Sequence, residues 1–563
     1  NFIWSIADLL RGNFKQSEYG KVILPFTVLR RFDCVLAPSK EEILERNKSL
    51  AVSNKAPIFK KYTGHDYYNV SKFDFEKLID DSNNIDTNLK DYINGFSDDV
   101  KEILDNFEIA TIIEKLKKAG LLYLVVQKFS EINLGADTID NLEMGYMFEE
   151  LIRKFSEQSN ETAGEHFTPR EVIELMVEVL LDTDLDEITT TDGKVITILD
   201  PACGTGGMLS IAQNKIRALN SRTTVVPFGQ ELNPETYATC KSDMILKNNT
   251  NSKIVFGNSF SEDGFREQKF DYILSNPPFG VEWKKVKNFI ENESKHKGYD
   301  GRFGAGTPRI SDGSLLFLQH MISKMQPIEK GGSRIGIVFN GSPLFSGDAG
   351  SGESEIRKWI IEKDLLEAVI GLPDQLFYNT GISTYVWILT NRKTDRRKGK
   401  IRLINGTSFF GKMRKSLGNK RNEITESDRK EIVRLYSTYE HDENYIDFDN
   451  DDFGYRKITI ERPLYDENRE VVVEKGNPKP NSKLRDTETV PFKEDIHEYF
   501  KREVLPHVPD AWIDEKKTKI GYEIPFTRHF YKFTPLRESS VILDEIKQLE
   551  EKIQKSLNEL FKG

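Results

Sequence analysis

The sequence predicts an α/β protein in which a helix-covered sheet lies between a helical N-terminal region and a helical tail. Three patterns indicate this fold class. Apolar residues recur at spacings of three and four up to about residue 160, short β-branched runs alternate with helical stretches beyond it, and an amphipathic helix ends the chain. We therefore divide the chain into residues 1–160, 161–435 and 436–563.

The first of these regions is expected to be mostly helical. Phe148, Leu151, Ile152 and Phe155 show the spacing that places apolar side chains on one face of a helix, and glycines are sparse within such segments.

The second region is expected to form a parallel sheet covered by helices. Its strands are predicted at seven β-branched runs, each separated from the next by a helical or turn-rich stretch. The runs are residues 195–199, 224–228, 253–256, 272–274, 334–339, 368–371 and 385–389.

The third region ends in a helix rich in Glu and Lys with one apolar face. That face comprises Ile542, Ile546, Leu549, Ile553 and Leu560. Docking onto a partner and packing against its own chain both explain such a face.

Composition excludes several classes of protein. The 563 residues are 38% hydrophobic and 30% charged, which is typical of a globular chain of about three or four domains and excludes a collagen-like or disordered one. Three cysteines without a CxxC pair predict neither a disulfide framework nor a zinc site, and indicate a reducing compartment. No apolar run is long enough for a transmembrane helix. The start lacks both Met and the basic residues of a secretory signal, so we expect a cytoplasmic chain trimmed at its N-terminus.

A glycine-rich turn follows the first predicted strand and indicates a nucleotide-type cofactor. Asp200 is followed by Pro-Ala-Cys-Gly-Thr-Gly-Gly-Met-Leu, in which the glycines let a ligand approach the backbone closely. Leu209 stands where a dinucleotide fingerprint requires glycine, and the P-loop sequence Gly-Lys-Ser/Thr is absent from the chain. The charge of Asp200 would repel a pyrophosphate but suits the cationic methionyl end of S-adenosylmethionine.

The next two predicted strands each end in a polar residue that fits the same cofactor. Glu231 can accept hydrogen bonds from both ribose hydroxyls, although an acid capping the following helix is the competing interpretation. Asn258 lies where it could contact the adenine ring.

A helix start precedes the first strand. Thr168 is predicted as the cap, Pro169 as the first helical residue and Glu171 as the partner in a capping box. Capping does not explain the three residues before them, which could cover the cofactor: Glu165, His166 and Phe167.

The predicted strand 272–274 runs into Ser-Asn-Pro-Pro-Phe-Gly, which we interpret as a catalytic loop. The two prolines remove N–H donors and leave the Pro277 carbonyl and the Asn276 side-chain oxygen as converging acceptors. Acceptors on both N–H groups of an aromatic amine favour the tetrahedral nitrogen that attacks a methyl group. Phe279 could stack on the base; a plain proline turn is the competing interpretation.

These motifs together resemble the DNA adenine-N6 methyltransferases of the gamma motif order, and more closely the modification subunit of type I restriction-modification enzymes. The resemblance lies in Asp200 to Gly206 and in Asn276 to Phe279. Residues 164–169 are similar to that family's additional cofactor motif, and residues 4–31 to its N-terminal helical domain. The resemblance covers nearly the whole chain and is weakest between residues 440 and 535.

The resemblance implies a Rossmann-like S-adenosylmethionine-dependent methyltransferase fold and an adenine-specific DNA methyltransferase that needs no metal. It implies catalysis by Asn276, Pro277, Pro278 and Phe279. A flipped adenine would stack on Phe279 and Phe377, with Tyr378 as the alternative to Phe377. The cofactor would be bound by Glu165, His166, Phe167, Thr168, Asp200, Pro201, Gly204, Thr205, Gly206, Glu231 and Asn258.

The partners implied by the resemblance are double-stranded DNA, a specificity subunit that binds two copies of the chain, and a restriction subunit. The terminal helix is the expected docking element. Partners would also explain why a DNA enzyme carries 90 acidic against 80 basic residues, a net charge of −10. Residues 391–421 hold 12 Lys or Arg against one acid, Asp395, and could contact phosphates or form a solvated surface.

Three alternatives remain. Similar Asn-Pro-Pro-aromatic loops occur in methyltransferases that modify glutamine side chains of proteins or guanine in RNA, although these would not need the helical N-terminus and the terminal helix. A single-chain restriction enzyme would need a nuclease site, for which Pro509-Asp510 and Glu515-Lys516-Lys517 offer only a superficial match. A cofactor-binding sensor without activity is disfavoured by the intact catalytic loop.

Overall fold

Helices form the N-terminal region of the computed structural model, which describes residues 2–159, 168–247, 251–378, 381–417, 419–531 and 538–560. The long helix α2 lies at the centre of this region and is buried on nearly all sides. The helices are α1 (Phe2–Leu10), α2 (Tyr19–Leu36), α3 (Lys40–Ser49), α4 (Ala56–Thr63), α5 (Phe75–Asp80), α6 (Ile85–Asn94), α7 (Asp98–Asn106), α8 (Ile109–Lys118), α9 (Leu122–Ser130) and α10 (Asn141–Ser159).

All seven predicted strands are confirmed, and two further strands extend the same sheet. Its strands are β1 (Val195–Asp200), β2 (Thr224–Glu231), β3 (Lys253–Phe256), β4 (Tyr272–Ser275), β5 (Arg334–Asn340), β6 (Leu366–Gly371), β7 (Thr384–Thr390), β8 (Lys400–Asn405) and, after the hairpin β9 (Gly411–Leu417) and β10 (Lys420–Glu423), β11 (Tyr445–Asp449).

Helices on both faces cover this sheet, as predicted for an α/β fold. They are α11 (Arg170–Leu181), α12 (Leu185–Thr190), α13 (Gly207–Leu219), α14 (Pro234–Leu246), α15 (Lys287–Lys297), α16 (Ser314–Ser323), α17 (Ser342–Phe345), α18 (Gly352–Glu362) and α19 (Glu426–Ser437).

The sheet is mixed and not wholly parallel, which corrects the prediction. Its order is β11-β8-β6-β7-β5-β4-β1-β2-β3, and β7 runs antiparallel between β5 and β6. The reason is the connection between β6 and β7, residues 372–383, whose described part contains no crossover helix; the amide of Leu372 donates to the carbonyl of Thr384 where the two strands meet. Strands β1 to β6 and β8 share one direction, and their carboxyl ends therefore meet at one edge of the sheet.

A smaller sheet follows, in the part of the chain where the sequence offers least resemblance. Strand β12 (Gly454–Glu461) lies between β15 (Asp486–Pro491) and the short strands β16 (Trp512–Ile513) and β17 (Lys519–Tyr522). The other elements are β13 (Val473–Glu474), β14 (Asn477–Pro478) and α20 (Ile496–Tyr499). Ile458, Ile460 and Val490 form its apolar core with Phe500 and Val504.

Contacts divide the chain into two compact units, Asn1–Ile524 and Pro525–Gly563. The second unit contains α21 (Phe526–Phe530) and α22 (Ser539–Leu560), so the predicted terminal helix is confirmed as a helix. In the described part of the chain, no helix combines the length and apolar character needed to cross a bilayer.

Candidate active site

Asp200 ends β1 at the carboxyl edge of the sheet, where its side chain joins the two motifs. Its Oδ1 accepts a hydrogen bond of 3.0 Å from the amide of Ala202 and one of 2.9 Å from the Ser275 hydroxyl. Ser275 is the last residue of β4 and the neighbour of Asn276. The glycine-rich turn and the catalytic loop are therefore joined at their bases, as expected for adjacent parallel strands.

Glu231 lies at the end of β2 and holds the glycine-rich turn. Its Oε2 accepts the amide of Gly204 at 2.8 Å, and its Oε1 accepts the amide of Asn233 at 2.7 Å. Capping of the following helix α14 falls to the Asn233 side chain, which accepts the amides of Glu235 and Thr236. The competing interpretation of Glu231 as the capping acid is therefore wrong.

Asp200 and Glu231 end neighbouring strands and form an acidic pair close enough for their charges to interact. Burial, and to a smaller extent the nearby charge of Glu231, raises the pKa of Asp200 to about 7. Burial also raises the pKa of Glu231. Among the described residues, neither carboxyl group forms an ion pair. Carboxylates attract cations and accept hydrogen bonds, so this pair fits a ligand that combines a positive charge with hydroxyl groups. S-adenosylmethionine has both.

Gly206 is a position where the backbone requires glycine. Its φ is +84°, and a Cβ there would lie 2.6 Å from the Cys240 sulfur in α14. The tight turn lets α13 begin at Gly207, directly behind the predicted cofactor residues Pro201, Gly204 and Thr205.

Asn258 follows β3 and stabilises the next turn. Its Oδ1 accepts the amide of Phe260 at 2.9 Å, which leaves the side-chain NH₂ group as a donor. The adjacent Ser259 donates to the carbonyl of Pro201 at 2.5 Å, so this turn is fastened to the glycine-rich turn. Its use in contacting adenine stays a prediction.

Asn276, in the catalytic loop, is held by the NH₂ end of its side-chain amide. The Asn276 Nδ2 donates to the Thr168 hydroxyl at 2.9 Å. The Asn276 Oδ1 is buried, and no donor among the described residues reaches it. An orphaned buried acceptor costs free energy unless a ligand supplies the missing donor, so this oxygen is suited to accept an N–H group.

The aromatic residues predicted to stack on a base lie in the apolar cluster under the sheet edge. Phe279 is 8% exposed and Phe377 is 4% exposed, and both belong to the same cluster as Met208 and Leu376. The ring of Tyr378 lies 5.7 Å from the Lys420 ammonium group.

The predicted capping box at Thr168 is wrong. Helix α11 begins at Arg170, Pro169 is its N-cap residue, and no side chain caps it. The physical reason is that tertiary partners occupy both side chains: Asn276 donates to Thr168, and Lys420 forms an ion pair with Glu171. Glu165, His166 and Phe167, predicted to cover the cofactor, lie outside the described part of the chain.

Two residues that the sequence analysis did not single out complete the site. Ser275 bridges to Asp200, and its only sequence signal is a hydroxyl directly before the Asn-Pro-Pro run. Lys420 is buried in β10 and donates to the Leu376 carbonyl at 3.0 Å as well as to Glu171. A lysine within a basic stretch carries no sequence signal of burial.

Comparison with known proteins agrees with this geometry. The N-6 DNA Methylase family model matches residues 140–453, and the HsdM N-terminal domain model matches residues 1–129. The type I restriction enzyme MjaIX methylase subunit of Methanocaldococcus jannaschii is 26% identical over 484 residues, covering 81% of this chain and 80% of the relative. The MpnII methylase subunit of Mycoplasma pneumoniae is 24% identical over 496 residues, covering 79% and 84%.

Among solved structures, the type I restriction-modification methyltransferase subunit from Streptococcus thermophilus has the same fold. Its TM-score is 0.63 at 22% identity, covering 80% of this chain and 95% of that one. Because the N-6 DNA methylase model spans more than half of the sequence and the motif residues converge at one sheet edge, the chain belongs to the N-6 DNA methylase family, as a DNA methyltransferase of the type I restriction enzyme methylase subunit kind.

Proposed function

We propose that the chain transfers a methyl group from S-adenosylmethionine to N6 of adenine in double-stranded DNA, within a complex whose site recognition comes from a specificity subunit. The observation that carries the proposal is the buried Oδ1 of Asn276 after β4, which no donor among the described residues reaches, next to Ser275 and its bond to the acidic pair residue Asp200. An exocyclic amine supplies the N–H donor that this oxygen lacks.

The acidic pair of Asp200 and Glu231 supports the choice of cofactor. Asp200 would lie near the cationic methionyl end, while Glu231 would accept the ribose hydroxyls and the NH₂ group of Asn258 would face the adenine ring. S-adenosylmethionine supplies, when bound, a methyl group activated by its sulfonium sulfur. The glycines of the turn would leave room for close approach of this ligand to the backbone.

Asn276 and Pro277 would bind and activate the amine of the adenine base. The Asn276 Oδ1 and the Pro277 carbonyl would accept the two N–H groups of the adenine amine and draw its nitrogen towards tetrahedral geometry. That geometry frees the nitrogen lone pair from the ring, so the hydrogen bonds are strongest in the transition state. Thr168 would keep the Asn276 oxygen turned towards the substrate by accepting its NH₂ group.

The target base would have to leave the duplex, at a cost of a few kcal/mol that pocket contacts offset. Phe279 and Phe377 are the proposed stacking surfaces. Because both rings are buried, each would have to turn out of the apolar cluster to stack on a base.

Transfer of labelled methyl groups tests the proposal. The chain, purified with its specificity subunit, is incubated with labelled S-adenosylmethionine and with duplex DNA, RNA or protein. We expect label in the N6 of adenine of DNA; label only in protein or RNA would establish the glutamine or RNA alternative instead. Asn276→Ala should abolish transfer while cofactor binding persists, and Asn468→Ala, at an exposed turn, should change neither.

A further inference from the structure

The structure divides the basic stretch 391–421 into a paired part and an unpaired part. Seven of its 12 cations form ion pairs with acids of the same unit. The pairs are Arg392 with Asp184, Lys393 with Asp364, Arg397 with Glu367, Lys398 with Asp395, Lys400 with Asp449, Arg402 with Asp447 and Lys420 with Glu171. Arg396 stacks on Tyr439. Most of this stretch therefore serves the fold.

The remaining four cations lie together on the β9–β10 hairpin. Lys412, Arg414, Lys415 and Arg421 are all exposed, and none forms an ion pair with a described residue. The described part of the hairpin has one exposed acid, Glu423. An exposed cluster of one sign is suited to an anionic polymer, because folding gains little from charges that repel one another.

The pairing of the hairpin strands is irregular where two of these cations lie. Lys420 pairs with Leu417 and Asn422 with Lys412, so residues 413–416 lie opposite the single residue Arg421. Arg414 and Lys415 therefore have no register partner in the ladder, and both are exposed.

The hairpin is attached to the loop that carries Phe377, at the carboxyl edge of the sheet. It follows β8, whose carboxyl end lies at the same sheet edge as those of β1 and β4. The amide of Asn419 donates to the Tyr378 carbonyl at 2.8 Å, and the amide of Arg421 donates to the Gln375 carbonyl at 2.9 Å. These bonds fasten the hairpin to the loop that carries Phe377.

A buried lysine completes the attachment. Lys420 forms an ion pair with Glu171 in the first turn of α11 and donates to the carbonyls of Leu376 and Asn422. Three residues before Glu171, Thr168 holds Asn276. The hairpin, the Phe377 loop and the catalytic asparagine therefore form one connected structure.

We infer that the outer face of the β9–β10 hairpin is a contact surface for the phosphate backbone of duplex DNA, placed to hold the strand next to the site that a flipped base would enter. The inference rests on the proposed function for the identity of the polymer. It also explains how a chain of net charge −10 contacts DNA: a small basic face at the site suffices when recognition comes from a partner.

Removal of three of the charges tests this surface. The full-length chain carrying Lys412→Gln, Arg414→Gln and Lys415→Gln is compared with wild type for binding of a fluorescein-labelled duplex of random sequence, by anisotropy over a series of salt concentrations. A matched control carries Lys48→Gln, Lys61→Gln and Lys118→Gln, three exposed lysines of α3, α4 and α8 without ion pairs to described residues. Binding of S-adenosylmethionine by calorimetry reports that each variant is folded.

The hairpin variant should bind DNA about tenfold more weakly than wild type at low salt. The slope of log K against log salt concentration should become shallower by about one for each phosphate contact removed. The control variant should match wild type in both affinity and slope. The inference would be overturned if the hairpin variant and the control variant bound DNA with equal affinity and equal slope. It would also be overturned if the wild-type chain showed no measurable DNA binding at low salt. A hairpin variant that binds DNA normally but no longer joins the specificity subunit would show a protein-docking face instead.

Failure of the proposed function is separable from these outcomes. A chain that methylates only protein or RNA while its hairpin variant shows the expected loss of DNA affinity contradicts the proposed reaction alone. A wild-type complex that methylates adenine in DNA while the hairpin variant binds DNA normally contradicts only the inference drawn from the hairpin.

Discussion

The side-chain NH₂ group of Asn276 donates a 2.9 Å hydrogen bond to the hydroxyl of Thr168, a residue 108 positions earlier in the chain. This bond leaves the Asn276 oxygen as the free end of the amide, buried and without a donor among the described residues. The orientation of the proposed catalytic acceptor thus depends on a residue outside the Asn-Pro-Pro-Phe motif.

Loss of that hydroxyl should impair turnover more than binding. Thr168→Val keeps the side-chain shape but removes the acceptor, and we expect kcat for DNA methylation to fall about 10- to 100-fold because the Asn276 amide is no longer held. Thr168→Ser retains the hydroxyl and should restore most of the activity. Steady-state kinetics at saturating cofactor measures both variants. A kcat for Thr168→Val equal to that of wild type would remove Thr168 from the positioning of Asn276.

Affinity for S-adenosylmethionine should rise with pH through neutrality. Burial raises the pKa of Asp200 to about 7, so below this pH the carboxyl group is increasingly protonated and no longer attracts the cationic ligand. The raised pKa of Glu231 acts in the same direction. Calorimetric titrations from pH 6 to 8 should show a dissociation constant that increases by up to about tenfold per unit below pH 7. Asp200→Asn should bind weakly and with a flatter pH profile; equal pH dependence in both proteins would exclude Asp200 as the titrating group.

Gly206→Ala should disable the cofactor turn for two separable reasons. The new methyl group would lie 2.6 Å from the Cys240 sulfur, and the φ of +84° is unfavourable for alanine by about 1–2 kcal/mol. We expect a lower Tm and at least tenfold weaker cofactor binding. Adding Cys240→Ala removes the steric conflict but not the backbone strain, so the double variant should recover part of the loss. Recovery to full wild-type affinity would show that the backbone conformation is not strained.

The ion pair between the buried Lys420 and the partly buried Glu171 should contribute more to stability than an exposed pair does. Lys420→Met leaves the Glu171 carboxylate without its cation, and we expect a loss of about 3 kcal/mol, seen as a lower Tm in scanning calorimetry. Lys430→Met serves as the control, since its pair with Glu426 is exposed and worth less than about 1 kcal/mol. A similar Tm for both variants would mean that the buried pair does not anchor the hairpin.

The apolar face of α22 should decide assembly with the specificity subunit. Ile546, Leu549 and Ile553 are all more than half exposed on this helix. Leu549→Glu with Ile553→Glu should abolish co-purification with the specificity subunit and leave cofactor binding unchanged, because burial of two unpaired carboxylates is costly. Gln548→Glu with Gln554→Glu adds the same charge elsewhere on the helix and should preserve assembly. Normal co-purification of the apolar-face variant would refute the docking role.

Local patterns in the sequence determined the strands of the large sheet and the backbone shapes of the two motif loops. All seven predicted strands are present because β-branched runs flanked by turns need no distant information, and the glycine-rich turn and the Asn-Pro-Pro-Phe loop owe their backbone shapes to their own glycines and prolines. Because parallel strands end at one edge, the sequence also indicated that Asp200, Glu231 and Asn276 would lie close together.

Only the tertiary structure decided how the remaining side chains are used. Thr168 and Glu171 match a capping box in sequence, yet they bind Asn276 and Lys420, which are 108 and 249 positions away. The 12 cations of residues 391–421 look alike in sequence, and distant acids separate the seven that stabilise the fold from the four exposed on the hairpin. The physical reason is that hydrogen bonds and ion pairs between residues far apart in the chain depend on the packing of whole elements, which no short pattern records.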